Sequence, residues 1–372
     1  MQVGDALLSI GSTATQDLGE LAALIARLPS HEPVPLLMQR GAQSLELTIQ
    51  PEALPLEQLD AGEVVLDEVN WREHRLRAVW TFPDNVRASV AIWMLPGAAW
   101  LSEEHPSEPR SARLALVRGL TRAGFATLRV DRSGLGDSEG PLCTELDLQA
   151  ELEMWQAASQ YFRRHPRVRA DGHCVYARSL GGILAPLVLR GDSWAGVAVW
   201  GTSVRRWRDG MRTASERQYA LAGQQGPELG RKLERLDALH ALVFDLGLTP
   251  EQAFERRPDL RDLDPVNFSG RYVHGRVAAF FQELNRSDVA AAWARVQCPV
   301  LALHGSSDWL SFAADSQQIA KLAPRGRYLE LAGIDHMMHA RPSAEAAFAE
   351  PWEGDFNPAA LEALVAFYTE HC

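Results

Sequence analysis

Apolar segments that resemble buried strands alternate with amphipathic helical segments from residue 62 to the end of this 372-residue chain. Residues 90–95 form an almost uninterrupted apolar run, which is typical of a strand buried on both faces of a sheet. Further strand patterns occupy residues 126–131, 173–176, 196–200, 299–304 and 327–331, after an opening hairpin at 64–68 and 75–80. Strands that alternate with helices form mostly parallel sheets with helices on both faces. The sequence therefore predicts an α/β fold.

Changes in pattern divide the chain into five predicted parts. These are an N-terminal segment (1–50), a linker rich in proline and acidic residues (51–61), a first core part (62–202), a cap (203–290) and a second core part (291–372). The cap has helical stretches around residues 231–246 and 272–284 and lacks strand patterns. We therefore expect a helical cap inserted between the two parts of the sheet.

Charge and cysteine usage exclude several classes of protein. The formal net charge of −11 argues against nucleic-acid binding, which requires concentrated Lys and Arg. No apolar run approaches the roughly 20 residues that span a bilayer, and no signal-peptide pattern is visible. The four cysteines form neither a CxxC pair nor a His–Cys cluster: Cys143, Cys174, Cys298 and Cys372. We therefore expect reduced thiols, no metal site and a cytoplasmic location.

Residues 175–182 carry the strongest chemical signal, an apolar strand that ends at Ser179 and is followed at once by an apolar helix. Ala177 and Gly181, two positions on either side, are small enough for the close backbone approach of a sharp strand-to-helix turn. Such a nucleophile elbow exposes the serine hydroxyl above the sheet, although an ordinary turn is the alternative. The literal G-x-S-x-G at residues 136–140 places Ser138 in a polar loop with no apolar helix after it, so Ser138 is the weaker candidate.

A serine hydroxyl needs a base within hydrogen-bonding distance to act as a nucleophile at neutral pH. Two predicted strands downstream lead into polar turns that carry Asp308 and His336. We expect His336 to accept the proton of Ser179, and Asp308 to orient the imidazole and stabilise its charged form. His339 is the alternative base and Asp335 the alternative acid. Without catalysis, Asp308 would be a helix cap and His336 an ordinary loop histidine.

The oxyanion of a tetrahedral intermediate requires preorganised hydrogen-bond donors. The backbone N–H groups of Leu180 and Ala98 are the candidates, because Leu180 follows the nucleophile and Ala98 lies in the loop after the strand at 90–95. The candidate substrate-binding residues lie beside these loops and in the cap: Gly97, Trp100, Arg178 and Trp207. Trp200, Phe280 and Phe281 are aromatic alternatives whose simpler role is packing.

Five features in this order resemble the α/β-hydrolase superfamily. They are the loop at 95–100, the R-x-D-R-S-G-L-G-D-S-E-G stretch from Arg129, the elbow at Ser179, the acid loop at 305–308 and the G-x-x-H at 333–336. In that superfamily the catalytic residues follow the order serine, acid, histidine. The resemblance spans residues 62–372 and implies an α/β-hydrolase fold with a mostly parallel central sheet and a cap.

The same resemblance implies a serine hydrolase of the esterase or serine-aminopeptidase kind. Ester cleavage through an acyl-serine intermediate on a small, largely apolar acyl substrate is the main expectation, with no cofactor and no metal. Thioester cleavage and prolyl-aminopeptidase-like cleavage are alternatives, and the peptidase would need a cap carboxylate such as Glu234 or Asp237. A non-catalytic docking protein is an alternative of another class. Monomer and homodimer both remain open.

Residues 1–50 resemble the C-terminal half of a PDZ domain. The resemblance rests on Gly4-Asp5-Ala6-Leu7-Leu8-Ser9-Ile10, a helical stretch around residues 18–28, and a strand with Arg40-Gly41. Residues 34–37 and 45–49 are predicted to form a hairpin around Gly41. In PDZ domains the loop that captures a peptide C-terminus lies upstream of this region. The resemblance therefore implies a structural or docking role for the segment.

Overall fold

The computed structural model describes residues 4–15, 21, 24–25, 28–52, 56–84, 89–98, 101–104, 111–189, 193–264 and 267–372. The strands are β1 (Ala6–Ile10), β2 (Thr13–Ala14), β3 (Val34–Arg40), β4 (Gln43–Ile49), β5 (Glu63–Trp71), β6 (His74–Phe82), β7 (Ser89–Leu95), β8 (Ala126–Val130), β9 (Val168–Arg178), β10 (Gly196–Trp200), β11 (Phe268–Ser269), β12 (Tyr272–Val273), β13 (Arg276–Val277), β14 (Val300–Gly305) and β15 (Gly326–Leu331).

The described α-helices are α1 (Ala112–Arg122), α2 (Leu148–Arg164), α3 (Leu180–Val188), α4 (Trp207–Leu221), α5 (Gly226–His240), α6 (Pro250–Arg256), α7 (Ala278–Arg286), α8 (Val289–Trp293), α9 (Ala313–Leu322), α10 (Ala344–Ala349) and α11 (Ala359–His371). A π-helical turn at Ala241–Asp245 continues α5, and short 3₁₀ turns occupy Cys143–Glu145 and Pro258–Leu260. No helix in the described ranges is both long and apolar enough to cross a membrane.

An eight-stranded sheet forms the centre of the molecule, in the order β15-β14-β10-β9-β7-β8-β6-β5. The strands from β15 to β8 pair in parallel, whereas the β5–β6 hairpin joins antiparallel through β6 and β8. Every residue of β8, β10 and β14 is buried, because helices cover both faces of the sheet. The prediction of an α/β fold with a mostly parallel sheet is confirmed.

Alternate residues of the strands form two hydrophobic clusters, one on each face of this sheet. In β7, Trp93 and Leu95 belong to the larger cluster, while Ile92 and Met94 belong to the other. The side chains of successive strand residues point to opposite faces, so one strand supplies both cores. This alternation explains why β7 is apolar along almost its whole length.

The helix α2 packs against the larger cluster through a stripe at helical spacing. Its N-terminus is capped by Asp147, whose carboxylate accepts a hydrogen bond from the Ala150 N–H at 2.8 Å. Met154, Ala158 and Phe162 on the stripe are fully buried. A carboxylate, Glu151, lies on the same buried stripe, where a purely apolar residue would be expected.

The N-terminal segment forms a separate four-stranded antiparallel sheet in the order β2-β1-β3-β4. The hairpin of β3 and β4 turns at Gly41, as the sequence predicts. Ile10, Val34 and Leu36 form the small core of this sheet. Most of the expected helix around residues 18–28 lies outside the described residues. The division of the chain into five parts stays a prediction.

The segment predicted as the cap contains a small three-stranded sheet besides its helices. The strands β11, β12 and β13 pair antiparallel between α6 and α7. These strands were not predicted from the sequence, which has no strand pattern in this segment. Each of these strands has only two residues, which is too short for the alternating pattern that reveals a strand in a sequence.

Two of the four cysteines are paired, contrary to the expectation of reduced thiols. Cys174 in β9 forms a disulfide with the C-terminal Cys372, 198 residues away in the sequence. Cys143 and Cys298 are free. Cysteine pairing depends on which elements pack together, so spacing alone could not reveal this pair.

Candidate active site

Ser179 occupies a strained turn between β9 and α3. Its backbone has φ of 50° and ψ of −123°, a conformation that residues other than glycine seldom adopt. Three hydrogen bonds hold the turn. The Ser179 N–H donates to the carbonyl of Trp200 at 2.9 Å, and the Ser179 carbonyl accepts from the Gly182 N–H and the Thr202 hydroxyl at 3.0 and 2.8 Å. The predicted elbow geometry is therefore present at this serine.

The two glycines after the elbow are required by close backbone approach. A Cβ atom at Gly181 would lie 2.5 Å from the carbonyl oxygen of Pro96. A Cβ atom at Gly182 would lie 2.6 Å from the hydroxyl oxygen of Thr202. Neither position has room for a side chain, so these glycines allow the first turn of α3 to pack against the ends of β7 and β10.

The structure brings Asp308 and His336 together from the turns after β14 and β15. The Nδ1 atom of His336 lies 2.8 Å from Oδ2 of Asp308, and both side chains are buried. The other carboxylate oxygen accepts hydrogen bonds from the backbone N–H groups of Leu310 and Ser311, each at 2.8 Å. The Ser311 hydroxyl donates to Oδ2 at 2.5 Å. Asp308 is thus held in one orientation toward the imidazole.

These contacts keep Asp308 ionised although it is buried. Burial by itself raises the pKa of the carboxyl group, but the attraction of His336 and the hydrogen bonds from His336 and Ser311 outweigh it and lower the pKa below its ordinary value. An ionised Asp308 only accepts hydrogen bonds, so Nδ1 of His336 carries a proton and donates. The remaining nitrogen, Nε2, is then free to accept a proton.

Gly201, directly after β10, leaves the space that the histidine–aspartate pair occupies. It has φ of 55°, and a Cβ atom there would lie 3.0 Å from Nδ1 of His336 and 3.1 Å from Oδ2 of Asp308. The neighbouring Trp200 indole N–H donates to the His336 carbonyl at 3.0 Å and supports the same loop. Sequence reasoning missed Gly201; a glycine just after a fully buried parallel strand was the available signal.

Ser179 and His336 line one cavity of about 280 Å³, together with Ala98 and Leu180. Asp308 lies behind the histidine, fully buried. The surface of the cavity is largely apolar, and its apolar lining comes mainly from α4, α7 and the turn before α9: Trp207, Met211, Ala214, Phe281, Trp309 and Phe312. A nucleophile candidate, a base candidate and an apolar binding space therefore share one cavity.

The loop after β7 reaches the elbow at Gly97. A Cβ atom at Gly97 would lie 3.3 Å from the Cβ atom of Ser179. The guanidinium group of Arg132 donates to the carbonyl of Gly97 at 2.8 Å and to that of Pro96 at 3.4 Å. The next residue, Ala98, lines the cavity. Arg132 thus holds the loop that carries one of the proposed oxyanion donors.

Arg132 belongs to a buried ionic network that also includes the cap. Its Nε atom donates to Glu151 at 2.9 Å, and Arg276 of β13 pairs with the other oxygen of the same carboxylate. Burial raises the pKa of Glu151, but the charges of Arg276 and Arg132 outweigh burial and lower it to about 2. Glu151 and Arg276 were not predicted as site residues; a carboxylate on the apolar stripe of α2 was the signal for Glu151.

The alternative nucleophile Ser138 and the alternative acid and base, Asp335 and His339, make hydrogen bonds that stabilise loops. The buried hydroxyl of Ser138 accepts from the Arg77 N–H at 2.9 Å and donates to the Asp131 carbonyl at 3.2 Å. One carboxylate oxygen of Asp335 accepts from the backbone N–H groups of Met337 and His339, each at 2.8 Å. None of these candidates is among the described residues that line the cavity with Ser179.

Two of the predicted substrate-binding residues, Trp207 and Arg178, line different cavities. Trp207 lines the cavity and stacks on Phe281, with ring centroids 4.4 Å apart. Arg178 requires a correction, because it lines a separate small cavity, where its Nη2 atom lies 3.6 Å from the sulfur of Met337. Arg178 and Ser179 follow each other at a strand end, so their side chains take different directions. Trp100 lies outside the described residues.

Of the other aromatic candidates, Trp200 and Phe280 are fully buried in the core, and only Phe281 reaches the cavity within the described part of the chain. Asp237 is bound by Arg212 at 3.0 Å. Neither it nor Glu234 is a described lining residue. Among the described residues no group of three or more His, Cys, Asp and Glu side chains could hold a metal ion.

Comparison with known proteins identifies the fold. Among solved structures, the chain is similar to Est1E from Butyrivibrio proteoclasticus with bound ferulic acid (TM-score 0.53, 16% identity, 82% of this chain and 98% of that chain). It is also similar to DcsB in complex with a substrate analogue (TM-score 0.54, 16% identity, 83% and 100%) and to the α/β hydrolase GrgF from Penicillium sp. sh18 (0.51, 16%, 83% and 99%). No family model and no curated protein matches the sequence. The chain has the α/β-hydrolase fold.

Proposed function

We propose that the protein is a serine hydrolase that cleaves a carboxylic ester through an acyl-serine intermediate. Ser179 is the nucleophile, His336 the general base and Asp308 the residue that orients the histidine. One observation carries the proposal: the 2.8 Å hydrogen bond between His336 and an ionised Asp308 leaves the free imidazole nitrogen in a cavity shared with a serine on a strained elbow. This combination supports a role for these residues as a Ser–His–Asp triad.

In the first step, Nε2 of His336 accepts the proton of Ser179 while Oγ forms a bond with the ester carbonyl carbon. The electron pair of the carbonyl moves to its oxygen, which the N–H groups of Leu180 and Ala98 stabilise. The C–O bond to the leaving alcohol then breaks, and His336 gives the proton to that oxygen. A water molecule repeats the sequence on the acyl-serine, which releases the acid and restores Ser179.

The volume and the largely apolar lining of the cavity favour a small or medium, largely apolar substrate. Its volume of about 280 Å³ lies at the lower end of the range of small-molecule pockets. A peptidase of the aminopeptidase kind would need a free carboxylate for the substrate's amino group. The one described carboxylate on the wall, Asp315, is held by Arg205 at 3.0 Å. Esters and thioesters are therefore the favoured substrates.

The decisive experiment is labelling with a fluorophosphonate, which reacts with activated serines. The wild-type protein is expected to label at Ser179 and to hydrolyse short p-nitrophenyl esters, and Ser179→Ala is expected to lose the label and about 10⁶-fold in kcat. Ser138→Ala is the matched control, because Ser138 lies in a structural loop, and it should label like the wild type. Labelling that survives Ser179→Ala, or no labelling of the folded wild type, contradicts the proposal. The second outcome would favour a non-catalytic docking protein.

A panel of thioesters and aminoacyl amides beside the p-nitrophenyl esters tests the class of bond. Higher kcat/KM for the esters than for acyl thioesters of the same chain length is expected. A reversed order would assign the protein as a thioesterase without changing the roles of the three residues.

A further inference from the structure

His274 stands at the tip of the β12–β13 hairpin and lines the cavity that contains Ser179. His274 and Gly275 form the two-residue turn, with φ of 47° and 72°. Two successive positive φ values define a type I′ turn, in which Asn, Asp and Gly are preferred. Histidine, like Asn and Asp, adopts a positive φ more readily than most residues, so the turn accommodates His274. The environment of its side chain is what needs an explanation.

A hydrogen-bonded relay determines which nitrogen of His274 carries the proton. The amide nitrogen of Asn267 lies 3.1 Å from both carboxylate oxygens of Asp264 and donates to that group. The amide oxygen of Asn267 consequently faces Nδ1 of His274, at 2.9 Å. An amide oxygen only accepts, so Nδ1 is the protonated nitrogen. Burial lowers the pKa of His274 to about 4, which keeps the ring neutral at pH 7.

The other nitrogen, Nε2, then presents a lone pair that no described residue satisfies. The Nε2 atom is buried and has no hydrogen-bond partner among the described residues. Its ring is surrounded by the aromatic rings of Trp207, Phe268 and Phe281, with centroids 5.6 to 5.9 Å away. A buried acceptor without a donor is costly, so its persistence on a cavity wall points to a ligand that supplies the donor.

A second unsatisfied group belongs to the neighbouring ring of Trp207. The indole N–H of Trp207 is also buried without a hydrogen-bond acceptor among the described residues, and Trp207 lines the same cavity. The Trp207 and His274 rings meet edge to face, 5.8 Å apart. An unpaired acceptor and an unpaired donor on adjacent side chains match a hydroxyl group, which can donate to one and accept from the other. Neither a methyl group nor a carboxylate could satisfy both.

We propose that His274 and Trp207 form a specificity site for a hydroxyl group of the substrate, in a cavity whose surface is largely apolar. This inference rests on the proposed ester hydrolysis at Ser179 and names its substrate class: an ester that carries a free hydroxyl group on its acyl or its alcohol part. Substrates without the hydroxyl leave two buried polar groups unpaired. We expect them to react with kcat/KM about 10- to 100-fold lower than their hydroxylated partners.

The test uses pairs of esters that differ by one hydroxyl group. The acyl arm compares ethyl 3-phenylpropanoate with ethyl 3-(4-hydroxyphenyl)propanoate, and ethyl hexanoate with ethyl 6-hydroxyhexanoate. The alcohol arm compares hexyl acetate with 6-hydroxyhexyl acetate. The wild type is expected to prefer the hydroxylated member of at least one pair by tenfold or more, and the arm in which this occurs identifies the part that carries the hydroxyl. A preference below twofold in every pair overturns the proposal.

His274→Asn separates binding from turn formation, because asparagine is favoured in this turn but has a shorter side chain. It is expected to reduce the hydroxyl preference to within about twofold. His31→Asn is the matched control: His31 is exposed, also has a positive φ of 67°, and lies in the N-terminal segment. That variant should keep the full preference. A preference that survives His274→Asn contradicts the assignment.

A binding measurement without catalysis distinguishes failure of this inference from failure of the proposed function. In Ser179→Ala with ¹⁵N-labelled histidine rings, the spectrum should show His274 protonated at Nδ1 and unprotonated at Nε2. The ligands are 3-(4-hydroxyphenyl)propanoic acid and 6-hydroxyhexanoic acid for the acyl part, and hexane-1,6-diol for the alcohol part. In at least one of these cases the ligand should shift the Nε2 signal more than the same compound without that hydroxyl. An Nε2–H tautomer, or equal shifts, refutes the hydroxyl site even if Ser179 is the nucleophile. Selective shifts without ester hydrolysis by the wild type would refute only the proposed function.

Discussion

The backbone conformation of Ser179 is strained, and the contacts of neighbouring residues stabilise it. The positive φ of 50° is stabilised by hydrogen bonds to β10 and its following turn, while Gly181 and Gly182 remove the side chains that would obstruct the turn. Gly201 does the same for the His336–Asp308 pair. At the scale of single residues, these glycines are as important as the functional groups. A Cβ atom at any of the three positions would lie about 3 Å or less from a neighbouring atom.

Asp308→Asn tests the orientation of the histidine. The amide can donate toward Nδ1 and favour the wrong imidazole tautomer, so kcat for ester hydrolysis is expected to fall about 10⁴-fold with the fold retained. The N–H groups of Leu310 and Ser311 can still bind the remaining amide oxygen. Steady-state kinetics and circular dichroism check the two parts. A loss below tenfold would show that another residue orients His336, and Asp335→Asn would then be the next variant.

The helix α2 shows how one element links two parts of the site. Its buried Glu151 binds Arg132, which holds the loop at Gly97, and Arg276, which belongs to the β12–β13 hairpin that carries His274. The carboxylate is satisfied between two guanidinium groups and the Trp155 indole N–H at 3.1 Å. Because all these groups are buried, removal of the negative charge takes an ionic partner from two buried guanidinium groups.

Glu151→Gln is therefore expected to lower the free energy of unfolding by about 3 to 5 kcal/mol at pH 7. Glu153→Gln on the same helix is the matched control, since Glu153 binds Arg72 in an exposed ion pair worth less than about 1 kcal/mol. Denaturant-induced unfolding measures both variants. Equal losses in the two variants would show that the buried network contributes no more than a surface pair.

The lowered pKa of Glu151 also makes the free energy of unfolding depend on pH. The folded-state pKa of about 2 lies below the ordinary value of 4.5, so the unfolded chain binds this proton more readily. The ionised Glu151 contributes its full stabilisation of the folded state above pH 4.5, and this contribution is lost as the pH falls toward 2. The loss in free energy of unfolding across that interval is about 3 kcal/mol. The stability difference between wild type and Glu151→Gln should therefore shrink from pH 7 to pH 3, and a constant difference would contradict the assigned charge state.

At the scale of the whole molecule, the described residues of the segment predicted as a linker include Glu57, which makes a buried contact with the central sheet. Glu57 accepts two hydrogen bonds from Arg129 of β8, at 2.6 and 2.8 Å, and both side chains are buried. The pair lies outside the N-terminal sheet. The functional boundary between the N-terminal segment and the hydrolase fold is therefore expected before Glu57, not at the start of β5.

Two truncations test that boundary. Removal of residues 1–50 retains Glu57 and is expected to leave ester hydrolysis and thermal stability of the core close to those of the full chain. Removal of residues 1–61 leaves Arg129 buried without its carboxylate partner. The free energy of unfolding should therefore fall by a further amount of about 3 to 5 kcal/mol. Thermal unfolding and specific activity report the difference. If both truncations are as stable as the full chain, the Glu57–Arg129 pair contributes little to stability. If both are destabilised equally, the N-terminal sheet itself supports the hydrolase fold.

The sequence by itself was sufficient for features that depend on local backbone periodicity. Apolar runs predicted the strands of the central sheet, and polar residues just after those runs predicted where Ser179, Asp308 and His336 would lie, because parallel strands end at one edge. The small residues around Ser179 indicated its turn. The roles of these three residues remain predictions.

Only the tertiary structure revealed contacts between segments without a common local pattern. Glu151 and Arg276 are separated by 125 positions, and Cys174 and Cys372 by 198. The direction of Arg178, the two-residue strands of the cap and the unpaired nitrogen of His274 likewise depend on which elements pack together. Burial, charge pairing and tautomer are properties of a three-dimensional environment, whereas sequence periodicity reports only which face of a local element is apolar.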